Sequence, residues 1–398
     1  MPLLNIPEHM LLFLAGVGLL QGALLAVLLY FHPKSDRSVN GFLALFIFCI
    51  SLPVLIPIAQ QLFSWQAIII VEPFTVLGGP FLYLYVRSFK EPITWRKAWP
   101  HLAIFPVFVG IACWSWVTVA HQYPPGKEVP EGALRHPLSF IPIMIRFSQR
   151  LLYYGLSLRA LYLYQHSIRH LFSETSRINL RWVRYLVHGY LVLVLSTIIC
   201  YIYIRQHPEN LGIGILSAGA LITIYIYLAA FKGIGQITLW QLMPERNKET
   251  LADTLEEAVN LEDDNLPGRV KRKTGLSDTR IQDIAGRILL ILESEKLYQE
   301  TELTLQQLAD RLALPPHQLS QAINDGLNKN FYDLINQYRV EEAKRLLLNE
   351  ANRNYTILSV GFEAGFNSKT TFNTVFKKFT GLTPTAYRDH QKQAALLA

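Results

Sequence analysis

The stretch GFEAGFNSKTTFNTVFKKFTGLTPTAYR, residues 361–388, decides how the carboxyl-terminal part of the chain folds. Phe372, Val375, Phe376 and Phe379 recur at i, i+3, i+4 and i+7, which makes them the buried stripe of one helix. Ser368 stands where it can cap the start of that helix. Gly365 suits the left-handed end of a short preceding helix within TILSVGFEAGF, 356–366. Lys369, Thr370, Asn373, Thr374 and Lys377 are left on the outer face. A short helix, a glycine turn and a polar, basic helix together read as a helix-turn-helix.

Working outward, a second unit of the same kind precedes it. Ile281, Ile284, Ile288, Leu289, Ile291 and Leu292 mark an apolar helical face. TLQQLADRLAL, 304–314, opens with Thr304 and has Gln307 three residues on, a capping-box start. Pro315-Pro316 then breaks the chain, and proline is tolerated at the first position of the following helix, HQLSQAIND. FYDLINQYRVEEAKRLLLNE, 331–350, is a long uninterrupted amphipathic helix between the two units, which lie at about 304–325 and 356–379. A helix-turn-helix lays its second helix in the major groove, so two on one chain can read successive groove faces. Asn373 suits adenine and Lys369 guanine or phosphate. Lys377 and Lys378 suit phosphate, which positions without specifying.

Residues from about 281 to 390 resemble the DNA-binding domain of the AraC/XylS family. The match is densest in GFNSKTTFNTVFKKFTGLTPTAYR, and LSQAIN and YRVEEAKRLL fit the first unit and the connecting helix. The resemblance implies a bacterial transcription regulator, with double-stranded promoter DNA and RNA polymerase as partners. Mapped by motif, the first recognition helix would present His317, Gln318, Ser320, Gln321 and Asn324. The second would present Ser368, Lys369, Thr370, Asn373, Thr374 and Lys377. Two positions depart from the family pattern: Pro315 stands where a serine-type cap is common, and Gly361 where alanine is usual.

The front of the chain has a different character. Of 398 residues, 51% are hydrophobic and 17% charged, and the shortage of charge is concentrated in residues 1–231. Seven apolar runs approach the roughly 20 residues a membrane span needs: about 10–31, 40–62, 66–89, 100–121, 138–164, 185–205 and 211–231. Lys and Arg gather in alternate connections (Lys34 and Arg37; Arg87, Lys90, Arg96 and Lys97; Arg159 to Arg184), which places those connections in the cytoplasm. The amino terminus is then outside, and residues 232 onward share the cytoplasm with DNA. The first run has no basic residue before it and is too long for the apolar part of a cleaved signal. Trp95 and Trp99 suit an interfacial anchor. The expected fold class is all-α: a seven-helix transmembrane domain at 1–231, a polar linker at 232–280 with a short helix at 248–261 and a basic RVKRK at 269–273, and a DNA-binding domain at 281–390.

Ionisable groups inside spans are costly. Glu72 and Arg146 fall at similar depths, roughly 10 Å below the outer surface at 1.5 Å per residue, which permits pairing. Arg150 is one turn deeper on the face of Arg146. These three form either a structural ion pair between helices or a pocket for an anionic or polar small-molecule ligand. Cys49, Cys113 and Cys200 lie in apolar runs without metal spacing and read as small buried hydrophobes. No nucleophile, metal or phosphate-cradling motif points to an enzyme, and no cofactor is implied. The expectation is therefore a multi-pass protein of the bacterial inner membrane that couples a signal to promoter binding, with a homodimer one way to bring two tails together. The alternative is an integral-membrane transporter or enzyme carrying a regulatory DNA-binding tail.

Overall fold

Apolar runs punctuated by proline dictate the local structure of the front of the chain: helices, interrupted where proline removes a backbone donor. The computed structural model of the protein describes residues 8–32, 36–126, 128–176, 178–207, 211–234, 276–352 and 354–397. The expected helix at 248–261, the RVKRK run, Lys34, and most of the linker lie outside the described residues. All regular elements among the described residues are helical, and the chain divides into two compact units, one of Met1–Tyr162 with Leu180–Pro244 and one of Leu163–Asn179 with Glu245–Ala398.

In the first unit, α1 (Glu8–Phe31) is followed by α2 (Arg37–Ser51), whose start is capped by Asp36 accepting from Ser38 N at 3.1 Å. Pro53 and Pro57 convert the continuation of α2 into a 3-10 turn (Leu52–Leu55) and a short α3 (Ile56–Leu62). The next apolar run is broken in the same way: α4 (Ile68–Val71), a 3-10 stretch (Glu72–Leu77) carrying Pro73, and α5 (Gly78–Ser88). There follow α6 (Trp95–Leu102), α7 (Ile104–Ala120), α8 (Glu131–Arg135), α9 (Phe140–Leu171), α10 (Arg181–Gln206) and α11 (Leu211–Ile234). The Trp65, Phe108 and Trp116 rings pack with Val76, Ala112 and Val119 in one buried cluster.

Among the described residues, four segments are long and apolar enough to cross a membrane: Arg37–Leu55, Trp65–Ser88, Trp95–Ala120 and Arg181–Gln206. Shorter apolar stretches, Gly16–Phe31 and Ser217–Gly233, coincide with the first and last of the seven expected spans. The fifth expected span lies in α9, which is 32 residues long yet interrupted by Arg146, Arg150 and Arg159 and is not among the four. Seven spans therefore remain an expectation beyond the four such segments present.

The second unit is built on short, sharply capped helices. Ser277 caps α12 (Asp278–Glu295), which buries Ile281, Ile284, Ala285, Ile288 and Leu292, while Leu289 and Ile291 flank that face half-buried. The capping box at Thr304 and Gln307 is formed at the start of α13 (Leu305–Leu312). Pro316 opens α14 (Pro316–Gln321), which loosens into one π-helical turn at Ala322–Gly326. Asn330 caps α15 (Phe331–Leu348), Thr356 caps α16 (Ile357–Glu363), and Ser368 caps α17 (Lys369–Thr380). The last helix is α18 (Pro384–Leu397). Val340, Ala343 and Leu347 of α15 pack against Val360, Phe366, Phe372, Val375 and Phe376, joining α15, α16 and α17 in one core.

Two glycines in this core hold positions that no side chain fits. Gly365 has φ +95°, and a Cβ there would lie 2.5 Å from Tyr298 O and 2.8 Å from Gln299 Cα. At Gly361 a Cβ would meet the fully buried Phe372 ring at 2.7 Å, which gives the departure from alanine a physical reason.

Candidate nucleic-acid interface

The second recognition helix, α17, is positioned by its own aromatic stripe. Phe372, Val375 and Phe376 are buried, and the Phe376 ring meets Tyr387 of α18 edge-on at 5.4 Å. Fixing that face turns Lys369, Thr370, Thr374 and Lys377 fully to solvent and leaves Ser368 and Asn373 half-exposed. Ser368 is the cap itself, its hydroxyl accepting from Thr371 N at 3.2 Å, so it holds the helix start as well as facing outward. Lys378 is exposed and its ammonium pairs at the surface with Asp333 at 2.6 Å, a contact weak enough to leave it available to phosphate. Lys377 is exposed and makes no ion pair among the described residues.

The first recognition helix, α14, differs from expectation. His317 is exposed and Gln318 half-exposed, but Ser320 and Gln321 are each only 7% exposed. Asn324 is half-buried in the π-helical turn, and its amide donates weakly to Ser320 Oγ at 3.5 Å. Gln321 donates to Asp325 at 3.3 Å. Two of the five side chains expected to face outward here are therefore covered. Periodicity places them opposite Leu319, Ala322 and Ile323, and burial on that opposite face has no signal in the local sequence.

Arg339 of α15 is a residue that pattern reading passes over. Its side chain is fully buried and donates to Tyr298 O at 2.7 Å, Glu300 O at 2.7 Å and Thr301 O at 3.2 Å. It also donates to Ser173 O at 3.2 Å and to Ser173 Oγ at 3.0 Å. Burial pulls this guanidinium down to about 10, with Glu174 and Tyr332 opposing the shift, so it stays cationic. Its carbonyl partners anchor the loop before α13 to α15, and so set where the first helix-turn-helix begins. The signal for it was an arginine inside an otherwise apolar stripe of YRVEEAKRLL.

In the first unit, Glu72 sits at the head of the broken 3-10 stretch. It pairs with Arg146 at 2.8 Å and accepts from the Trp116 indole at 2.5 Å. Its side chain is 2% exposed, and the pair ties the 3-10 stretch to α9 and α7. Arg150 is buried at 8% exposure. A separate groove of about 480 Å³ is lined by Arg135, Phe140, Met144, Phe147, Tyr201, Arg205 and their neighbours. The Arg205 guanidinium stacks over the Phe140 ring at 3.6 Å, and its Nη1 is buried without a hydrogen-bond partner among the described residues. Nothing in the local sequence shows which ring Arg205 covers. Cys49 is buried and Cys113 and Cys200 are half-buried, and none of the three is in a disulfide. No group of His, Cys, Asp and Glu among the described residues is arranged to hold a metal ion.

Two capped helix-turn-helix units around a rigid connecting helix define a class: residues 308–390 match the family described as a helix-turn-helix domain, and they form one of AraC type. The chain is also similar to the Bacillus subtilis (strain 168) protein named uncharacterized HTH-type transcriptional regulator YtdP, 26% identical over 140 residues, which is 35% of this chain and 17% of that one. A Staphylococcus aureus (strain COL) protein named as an HTH-type transcriptional regulator is 27% identical over 113 residues, 28% of this chain and 14% of its own length. The chain thus spans about a sixth of the curated relatives it matches. No solved structure gives a significant match.

Proposed function

We propose that this chain is a membrane-embedded, sequence-specific DNA-binding transcription regulator whose front half senses a signal and whose rear half binds promoter DNA. The observation that carries the reading is the presence, in one chain, of an AraC-type helix-turn-helix domain at 308–390 and four apolar segments of membrane length. In this reading the protein resides in the bacterial inner membrane with its amino terminus outside, seven spans over 1–231, and the DNA-binding domain at 281–390 in the cytoplasm. α17 enters a major groove with Lys369, Thr370, Asn373 and Thr374 towards base edges, while Ser368 and Lys377 meet the backbone. α14 enters the adjacent groove face with His317, Gln318 and Asn324, and with Ser320 and Gln321 once they are uncovered. Promoter DNA is the partner, RNA polymerase follows from the resemblance, and a homodimer would raise the effective concentration on paired sites.

The signal is assigned to an anionic small molecule with an apolar body, seated in the groove between α9 and α10. Arg205 supplies charge there, Arg135 being paired with Glu131 at 2.7 Å, and Phe140, Phe147 and Tyr201 supply apolar walls. Glu72 and Arg146 are paired with each other at 2.8 Å, so their role is to hold α9, which forms one wall of the groove. A ligand in that groove moves promoter occupancy only by its different affinity for two states of the membrane domain.

The experiment is crosslinking of the full-length protein in bacterial cells, membrane isolation and recovery of bound genomic fragments. A discrete set of fragments from the membrane fraction is expected, lost in the Lys369→Ala, Asn373→Ala double variant. A protein found wholly in the soluble fraction, or fragments unchanged by the double variant, would overturn the reading.

A further inference from the structure

The carboxyl-terminal turns of α9 and the loop that follows, Leu163–Asn179, belong to the same compact unit as the DNA-binding helices, although more than a hundred residues separate them in sequence. The connection is specific. Ser173 N and Ser173 Oγ both donate to Leu303 O, at 3.2 and 2.7 Å. Ser173 O accepts from Asn336 Nδ2 at 3.1 Å and from buried Arg339. Phe172 makes an antiparallel bridge to Thr304, the residue that caps α13. A surface loop that merely rested on its neighbour would keep its backbone in water. Here Ser173 is fully buried with its backbone N–H, carbonyl and hydroxyl all bonded to that neighbour.

The seat of this segment is next to the first reading head. His170 is 8% exposed with both ring nitrogens buried and without a hydrogen-bond partner among the described residues, and it lies near Asn324, which the motif places on the recognition face of the first unit. Arg169 and Glu174 act on Tyr332, at the start of α15. The same recognition helix is the one whose Ser320 and Gln321 are buried, whereas the corresponding face of α17 is open. Among the described residues the segment's bonds go to the start of α13 and to α15, beside the unit whose recognition helix is the covered one.

We propose that Leu163–Asn179 is an intramolecular clasp that docks on the DNA-binding domain through Ser173 and Arg339 and withholds the first recognition helix from DNA. This rests on the DNA-reading role proposed above and deepens it by naming the regulated contact. With the clasp seated, only α17 reads DNA. With it released, α14 engages the adjacent groove face and binding tightens. Helix α9 supplies the lever, because one continuous helix carries Arg146 in the first unit and His170 in the second. A movement of α9 along or about its axis shifts Phe172 and Ser173 directly.

The test uses full-length protein in lipid nanodiscs and duplexes selected from a random-sequence library. A Phe172→Cys, Thr304→Cys pair faces across the antiparallel bridge and should join on mild oxidation, a readout that involves no DNA. The joined protein should bind the selected duplex on the order of tenfold more weakly than its own reduced form. Ser173→Lys sets a cation against Arg339, and should tighten binding by a similar factor without altering membrane insertion. Failure of the two cysteines to join overturns the docking. Joining without a change in affinity, or weaker binding by Ser173→Lys, overturns the control it exerts. Absence of binding to any duplex by every form, at low salt, overturns the DNA-reading role itself and the clasp's purpose with it.

Discussion

At Gly365 the backbone angle and the neighbouring chain act together. A left-handed φ costs a non-glycine residue about 1–3 kcal/mol, and here the added methyl would also strike the Tyr298 carbonyl. Gly365→Ala should therefore destabilise the carboxyl-terminal unit by about 3 kcal/mol, measured as earlier loss of protease resistance in denaturant. Wild-type resistance would mean that the turn between α16 and α17 can relax. On the reading face, single side chains divide by task. Loss of Asn373 or Lys369 should cost about 1–3 kcal/mol of discrimination between promoter and random duplex, if each makes a good base contact. Loss of Lys377 should weaken both duplexes equally and reduce the slope of log affinity against log salt by about 1. Equal behaviour of all three variants would mean that α17 does not lie in the groove as proposed.

Elements are held together in this protein by a few polar contacts set into apolar surroundings. The broken 3-10 stretch meets α9 through Glu72 and Arg146. Removing one partner of a buried pair leaves an uncompensated charge and typically costs about 3–5 kcal/mol. Glu72→Gln should accordingly lower the thermal midpoint of the detergent-solubilised protein, and exchanging the two charges should restore part of the loss. No restoration would mean that the Trp116 indole, rather than Arg146, is the partner that matters. Where α9 meets the DNA-binding helices the groups titrate. Burial first, and His166 second, push His170 down to about 4, while Asn324 and Asp333 pull it back. An undocked imidazole titrates near 6.5, so the undocked form takes up its proton first as pH falls. The neutral ring's contribution to docking is therefore complete above about pH 6.5 and is lost as pH falls towards 4. Amide protection factors of residues 163–179 should decline across that interval and stay flat in His170→Phe. A decline of equal size in that variant would place the titrating group elsewhere.

For the molecule as a whole, the proposed geography makes the carboxyl terminus cytoplasmic. Reporter fusions after Gly381 should be active only as cytoplasmic proteins, and an exported reporter would overturn the topology. Much of the architecture was legible in residues alone. Binary pattern and caps located α13, α16 and α17, because a helix end needs its orphan amides satisfied by a neighbour a few residues away, and that chemistry is local. Apolar runs located the segments of membrane length for the same reason: hydrocarbon thickness converts to residue count. The sequence by itself thus determined an all-helical chain with an AraC-type reading domain and apolar segments before it. Tertiary structure alone decided that Ser320 and Gln321 are covered, that Arg339 takes up a loop from more than 160 residues away, and that Lys378 pairs with Asp333 at the surface. Each of those depends on which distant backbone carbonyl or carboxylate arrives beside a side chain, and helical periodicity carries no information about that arrival.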